Sequence, residues 1–239
     1  MALRERPSPN RSSRPPGAAV DMLVLHYTGM PTAAEAIDRL CDPAAKVSAH
    51  YVIEEDGTLW RLVAESERAW HAGVSFWQGT TDVNAASIGV ELSNPGHEWG
   101  YRAFPERQMA ALEELAHGIL ARHRIPGDRV VGHSDVAPER KQDPGELFDW
   151  PRLARGGIGF WPGEEAPPPR GVSEAQEMLA SIGYRLPHSG ALDERTRLVV
   201  TAFQRRFRPC GVHGALDAET GARIAAVARA VAALRAGRG

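Results

Sequence analysis

The stretch Gly132-His133-Ser134-Asp135-Val136-Ala137-Pro138-Glu139-Arg140-Lys141-Gln142-Asp143-Pro144-Gly145 sets imidazole, ammonium and carboxylate groups on one loop studded with helix breakers. Pro138 and Pro144 remove backbone donors and fix φ, and Gly145 permits a tight exit. A folded-back loop, rather than helix periodicity, must therefore bring His133 and Asp143 together. Just upstream, Arg129-Val130-Val131-Gly132 reads as a short strand that ends at His133. Far upstream, the apolar run Met22-Leu23-Val24-Leu25 reads as a buried strand that delivers His26 to the edge of a sheet. Two candidate ligands thus leave the ends of two strands, the arrangement of an α/β fold with its chemistry at the sheet edge.

Two histidines and a carboxylate, with a fourth position left to water, match the ligand set of a catalytic zinc better than that of a structural one. Asp135 lies closer to His133 in sequence than Asp143 does, and spacing alone does not choose between these carboxylates. Cys41 and Cys210 are the chain's two cysteines and form no CxxC pair, so neither a cysteine zinc cluster nor a disulfide framework is expected.

Around these points the pattern is α/β. Thr32 to Cys41 reads as a helix, with Thr32 as N-cap and Glu35 completing a capping box. Tyr51-Val52-Ile53 and Leu59 to Val63 flank Asp56-Gly57, a hairpin signal. Ser87 to Leu92 is another buried strand. Pro105 to His123 carries Met109, Leu112, Leu115, Ala116 and Ile119 at helical spacing, and stops before Pro126.

The 239 residues suffice for one catalytic domain of ordinary size and a small second domain. The net charge of −2 and the scattered cations leave no footprint for nucleic acid and no polybasic membrane anchor. No apolar run approaches the roughly 20 residues that span a bilayer, so no transmembrane segment is expected. Residues 1–18 are basic, proline-rich and without an apolar core, and are expected to form a flexible arm rather than a secretory signal. A cytoplasmic location follows, or a periplasmic one if the natural N-terminus is missing. Residues 156–171 are rich in Gly and Pro and read as a partly extended linker. Beyond them, Ser189-Gly190-Ala191-Leu192-Asp193-Glu194-Arg195-Thr196 is echoed by His213-Gly214-Ala215-Leu216-Asp217-Ala218-Glu219-Thr220, each Asp placed to cap a following helix.

His26-Tyr27-Thr28, Ser48-Ala49-His50-Tyr51, Trp70-His71-Ala72-Gly73, Ile88-Gly89-Val90-Glu91-Leu92 and the His133 to Gly145 loop, in that order, resemble the zinc-dependent N-acetylmuramoyl-L-alanine amidases. This type-2 amidase family includes phage T7 lysozyme and the peptidoglycan recognition proteins. The resemblance covers about residues 20 to 155. The C-terminal residues, with Gln176, Leu179, Gly183-Tyr184, Phe203-Gln204 and Phe207, resemble the small three-helix peptidoglycan-binding domains. Together these imply a central mixed β-sheet flanked by helices over 19–155 and a helical domain over 172–239. They further imply zinc held by His26, His133 and Asp143, with Asp135 structural.

By the same resemblance, Glu91 is the general base and Lys141 stabilises the oxyanion, while His50 and His71 contact substrate or a group behind the ligands. Ala49 stands where some relatives carry a tyrosine, which shifts the burden to Glu91 and Lys141. His97, His117, His123, His188 and His213 fall outside the matched blocks and are expected at the surface. The expected activity is hydrolysis of the amide between N-acetylmuramic acid and L-alanine in soluble, anhydro-ended muropeptides during peptidoglycan recycling. Polymeric peptidoglycan is the alternative substrate, and non-catalytic peptidoglycan recognition the alternative role. Two units with separate apolar patterns also imply that truncation after about Gly163 leaves a folded amidase.

Overall fold

The computed structural model describes residues 3–163 and 166–238; Met1, Ala2, Glu164, Glu165 and Gly239, which belong to the expected arm, linker and C-terminal domain, lie outside the described residues. The strands are β1 Leu3–Glu5, β2 Arg11–Ser13, β3 Met22–Tyr27, β4 Tyr51–Ile53, β5 Leu59–Arg61, β6 Glu67–Ala69, β7 Ser87–Leu92 and β8 Val130–Gly132. The helices are α1 Ala33–Cys41, α2 Val83–Ala86, α3 Gly96–Trp99, α4 Glu106–His123, α5 His133–Val136, α6 Trp150–Arg155, α7 Val172–Ile182, α8 Glu194–Phe207 and α9 Ala218–Ala236. Six strands form a mixed sheet in the order β1-β5-β4-β7-β3-β8, and β2 pairs with β6 in a separate ribbon. Within the sheet β4, β7, β3 and β8 run parallel, and β5 is antiparallel to β4.

Alternation along β3 sorts its residues between two cores. Leu23 and Leu25 pack with Ile88, Val90 and Leu92 of β7 against the apolar stripe of α4, Met109, Leu112, Leu115 and Ile119. Met22 and Val24 face the other way, into a core shared with Val131, Trp77 and the C-terminal helices through Leu179, Tyr184, Val199 and Phe203. Helix α1 covers the same face further along, Ile37 and Leu40 packing on Val52 and Leu62. Its N-cap is as expected, Thr32 Oγ1 accepting from Glu35 N at 3.2 Å.

The echoed segments do the same work twice. Asp193 Oδ1 accepts from Thr196 N, and Asp217 Oδ1 from Thr220 N, each at 2.8 Å. A buried glutamine serves each loop: Gln176 Nε2 donates to Thr196 Oγ1 and Ala191 O, and Gln204 Nε2 to Thr220 Oγ1 and Ala215 O.

Two segments depart from expectation. Within 3–18, expected to be a free arm, β1 pairs with β5 and β2 with β6. Ser8 and Asn10 are buried, Asn10 Nδ2 donating to Asp42 O and Val47 O. Arg14 gathers the carbonyls of Glu65, Asn84, Ala85 and Ser87. Polar side chains bonding to backbone hold this segment down, and composition carries no sign of that. The expected linker is likewise strapped to the body: Ile158 is buried in the first core, and the Phe160 and Trp161 rings lie 5.8 and 5.6 Å from that of Phe207. Among the described residues, no helix is long and apolar enough to cross a membrane.

Candidate metal centre

His26 is the fifth residue of β3 and stands on the face shared with Met22 and Val24. In register beside it on β7 is Glu91, and beside Glu91 on β4 is Val52. His133 opens α5 directly after β8, and Ser134 N donates to Asp143 O at 2.9 Å, folding the loop back onto that turn. The result is three buried donor atoms facing one point. His26 Nδ1 and His133 Nδ1 are 2.9 Å apart, and each is 3.0 Å from Asp143 Oδ2. Ligand atoms around a tetrahedral zinc lie about 3.3 Å apart, given bonds of about 2.0–2.1 Å, so these donors need to shift only slightly to hold such an ion.

The far sides of both rings carry the partners that fix their tautomers. His133 Nε2 faces Ala72 O at 3.2 Å, a carbonyl that can only accept, which puts the proton on Nε2 and leaves Nδ1 bare. His26 Nε2 faces His71 Nδ1 at 3.1 Å, and His71 Nε2 faces Ser87 Oγ, whose hydroxyl donates to Val83 O at 2.6 Å. Read back along that chain, each group donates to the one before it and His26 Nδ1 ends with a free lone pair. Burial, followed by the neighbouring His133, pushes His26 down to about 4, so it is neutral at neutral pH. Burial works to raise Asp143, but His133 and His26 beside it outweigh that and hold it well below the usual carboxylate range. A neutral His26 and an ionised Asp143 are in the protonation states that metal binding requires.

Glu91 Oε2 is sealed from solvent without a hydrogen-bond partner among the described residues, and burial, with the Asp143 carboxylate adding to it, drives the Glu91 carboxyl well above the usual range. An unpartnered buried carboxylate oxygen is costly unless a further group completes its environment. His133, Asp143, Glu91 and Lys141 line one cleft of about 570 Å³, whose wall also includes Tyr27, Trp70 and Arg140. Lys141 has no ion-pair partner within 4 Å among the described residues and borders the cleft beside Glu91.

The structure separates residues that the sequence left together. Of the two aspartates, Asp143 joins the histidines. Asp135 turns away to accept from Gly132 N at 2.9 Å, Arg206 Nη1 at 2.8 Å and Tyr184 OH at 2.6 Å. His71 borders the cleft but is engaged behind His26, and its N–H and that of Ala72 are held by Asn84 Oδ1. Gly89 makes room for it, because a Cβ there would come within 2.4 Å of the His71 ring.

His50, expected at substrate, is corrected: it is 0% exposed and outside the cleft. Its Nδ1 accepts from Gly89 N at 2.9 Å and its Nε2 faces Glu67 O, so it braces the sheet and the β6 ribbon. His97, expected at the surface, is partly buried. Its ring stacks on Tyr101 at 4.3 Å and bridges Tyr27 OH and Glu146. Its partners lie 70 and 49 positions away, so nothing near it in the sequence marks the contact.

Residues 16–146 match the family described as N-acetylmuramoyl-L-alanine amidase, and residues 169–224 match one described as peptidoglycan binding domain. The N-acetylmuramoyl-L-alanine amidase AmiD of Escherichia coli is 38% identical over 223 residues, 84% of this chain and 79% of that protein. Its structure in complex with the substrate anhydro-N-acetylmuramic acid-L-Ala-D-gamma-Glu-L-Lys superposes with a TM-score of 0.79 at 36% identity, covering 90% of this chain and 92% of that one. AMPDH3 from Pseudomonas aeruginosa in complex with anhydromuramic pentapeptide gives 0.78 at 35% identity, covering 90% and 94%. The 1,6-anhydro-N-acetylmuramyl-L-alanine amidase AmpD of Haemophilus influenzae is 35% identical over 167 residues, 62% of this chain and 89% of that protein.

Proposed function

The chain belongs to the N-acetylmuramoyl-L-alanine amidase family, and from that premise we propose that it hydrolyses the amide between N-acetylmuramic acid and L-alanine in anhydro-ended muropeptides, with zinc held by His26, His133 and Asp143. The observation that carries this reading is the meeting of three buried donor atoms at 2.9–3.0 Å beside the unpartnered Glu91 Oε2. The substrates in the structures of the relatives support the choice of muropeptide. Held by His26, His133 and Asp143, zinc would supply a Lewis acid able to make water nucleophilic near neutral pH and to polarise the scissile carbonyl.

The chain's own residues do the rest. Glu91 takes the proton of the attacking water as its oxygen bonds to the carbonyl carbon, and returns it to the nitrogen of L-alanine as the C–N bond breaks. The products are the muramoyl carboxylate and a peptide with a free amino terminus. A carboxyl whose proton affinity is raised by burial suits both halves of that transfer. The Lys141 ammonium, free of an ion pair, lies at the same cleft wall and offsets the negative charge that grows on the carbonyl oxygen.

The match of 169–224 to a peptidoglycan binding domain favours a second reading, in which the polymer is also cut. Mass spectrometry of products from anhydromuropeptides and intact sacculi, digested in parallel, separates the two. A cytoplasmic location belongs to the recycling reading and is checked by fractionating cells that express the gene from its natural start.

Asp143→Ala is expected to lose zinc and activity together, while Glu91→Gln and Lys141→Ala keep zinc and lose roughly 10² to 10³ in kcat with little change in KM. Full zinc content in Asp143→Ala, or near-normal kcat in either of the others, overturns the corresponding role. Zinc-loaded enzyme that releases no L-alanine-terminated peptide favours recognition without catalysis.

A further inference from the structure

We propose that α8 of the C-terminal module is a clamp on the metal-bearing loop, with Arg206 and Arg205 acting as positioning residues for His133, Lys141 and Asp143. The proposal rests on the zinc reading above. It gives the module a task at the reaction centre that does not require it to hold any wall polymer.

Residues 137–149 contain no helix or strand, so the shape of the segment that carries Lys141 and Asp143 is set by what touches it. Of two consecutive arginines of α8, Arg205 touches this segment and Arg206 touches the residues that flank it. Arg206 is 4% exposed and enters the protein beneath the loop. Its Nη1 donates to Asp135 Oδ2 at 2.8 Å and its Nη2 to Val130 O at 3.0 Å, while the guanidinium lies 4.1 Å from the ring centre of Trp150 and 4.8 Å from that of Phe207.

Asp135 in turn holds Gly132 N with Oδ2 and Tyr184 OH with Oδ1. His133 sits between Gly132 and Asp135, so the turn that aims its ring is tied to two side chains of the C-terminal module. Arg205 lies on the outer side of the loop. Its Nη2 donates to Gln142 Oε1 at 3.0 Å and its Nε is 3.8 Å from Glu146 Oε2, on either side of Asp143. Neighbouring residues on a helix project about 100° apart, which lets one helix grip both sides.

A buried carboxylate that loses its cation is left uncompensated and pulls its surroundings out of place. Displacing the Asp135 turn moves His133 relative to His26, whose own position is fixed separately by β3 and His71. Metal sites tolerate about 0.5 Å of such error, so affinity for zinc reports the clamp directly.

The test is the zinc dissociation constant of the full chain and its variants, measured by competition with a chelator below the melting temperature of each, together with kcat and KM. Arg206→Met is expected to bind zinc about 10- to 100-fold more weakly, the usual effect of substituting a group behind the ligands, and to lose kcat with KM little changed. Arg206→Lys, which keeps the charge, is expected to recover part of the loss. Arg205→Ala, at a partly buried position, and Tyr184→Phe are expected to weaken zinc in the same direction.

Arg235→Ala is the control. It cuts the contact of α9 with Asp128 at the other end of β8, and is expected to lower stability without altering zinc affinity. Unchanged zinc affinity in a folded Arg206→Met, or an equal loss in Arg235→Ala, overturns the proposal. Should Arg206→Met fail to fold, unchanged affinity in both Arg205→Ala and Tyr184→Phe overturns it. An unmodified chain that binds no zinc defeats the zinc reading itself, a different outcome from a zinc site indifferent to α8.

Discussion

Gly89 offers a way to disturb the candidate metal centre without altering a proposed ligand, the proposed general base or any charged group. It lies in β7 two residues before Glu91, and the ring of His71 occupies the space where a Cβ would stand. Gly89→Ala must therefore push His71 away from His26 Nε2, removing the partner that fixes the proton on that side of the ring. The expected result is a folded protein with zinc affinity lower by about ten-fold or more, read by chelator competition. His50 gives the contrasting case, a buried histidine of the same sheet whose bonds to Gly89 N and Glu67 O serve architecture. A histidine's sequence neighbours do not reveal which of these tasks it has, because both begin with burial next to a strand.

At the scale of elements, the end of α4 is fastened to the loop after β5 through Glu65. Arg122 Nη2 donates to its carboxylate at 2.6 Å, and His123 Nε2 and Tyr51 OH each at 2.7 Å. Burial works to raise this carboxyl, but the hydrogen bonds from Arg122, His123 and Tyr51 outweigh it and hold it at about 2, against an ordinary value of 4.5. The folded state therefore binds this proton less readily than the unfolded chain does. The stabilisation is complete above about 4.5 and is lost as pH falls from there through about 2. The difference in unfolding free energy between the unmodified chain and Glu65→Gln is expected to be constant above pH ~5 and to shrink across that window. Denaturant titrations at stepped pH check this, and a difference that grows on acidification would contradict it.

Over the whole molecule, the second core decides how the parts behave. Met22, Val24 and Val131 of the sheet pack in one cluster with Leu179, Tyr184, Val199 and Phe203 of the C-terminal helices. Asp128, also buried, is held by Arg235 and Arg238 near the chain's end. The expectation from sequence, that truncation after Gly163 leaves a folded amidase, now reverses. That cut exposes the part of one sheet face around Met22, Val24 and Val131 and strips Asp135 and Asp128 of their cations. The full chain is expected to melt in one cooperative transition, and the truncated chain to aggregate or melt far lower. Calorimetry of both decides the matter, and two separate transitions in the full chain would show independent units.

The larger elements and the order of the chemistry along them are legible in the amino-acid sequence alone. Apolar runs ending in His26 and His133, the Thr32 and Asp193 caps, the stripe of α4 and the five separated blocks are signals written within about ten residues, the range over which periodicity and capping act. Only the tertiary structure chose Asp143 over Asp135, set His71 behind His26, buried His50, and laid residues 3–18 along the sheet. It also set Arg206 beneath the loop that carries Asp143, on Asp135. Each of these depends on a polar group meeting a partner dozens of residues away, and a hydrogen bond of that reach leaves no hydrophobic period in the sequence. Burying a carboxylate or guanidinium is tolerable only once its partner arrives, so those choices were made when the chain closed on itself.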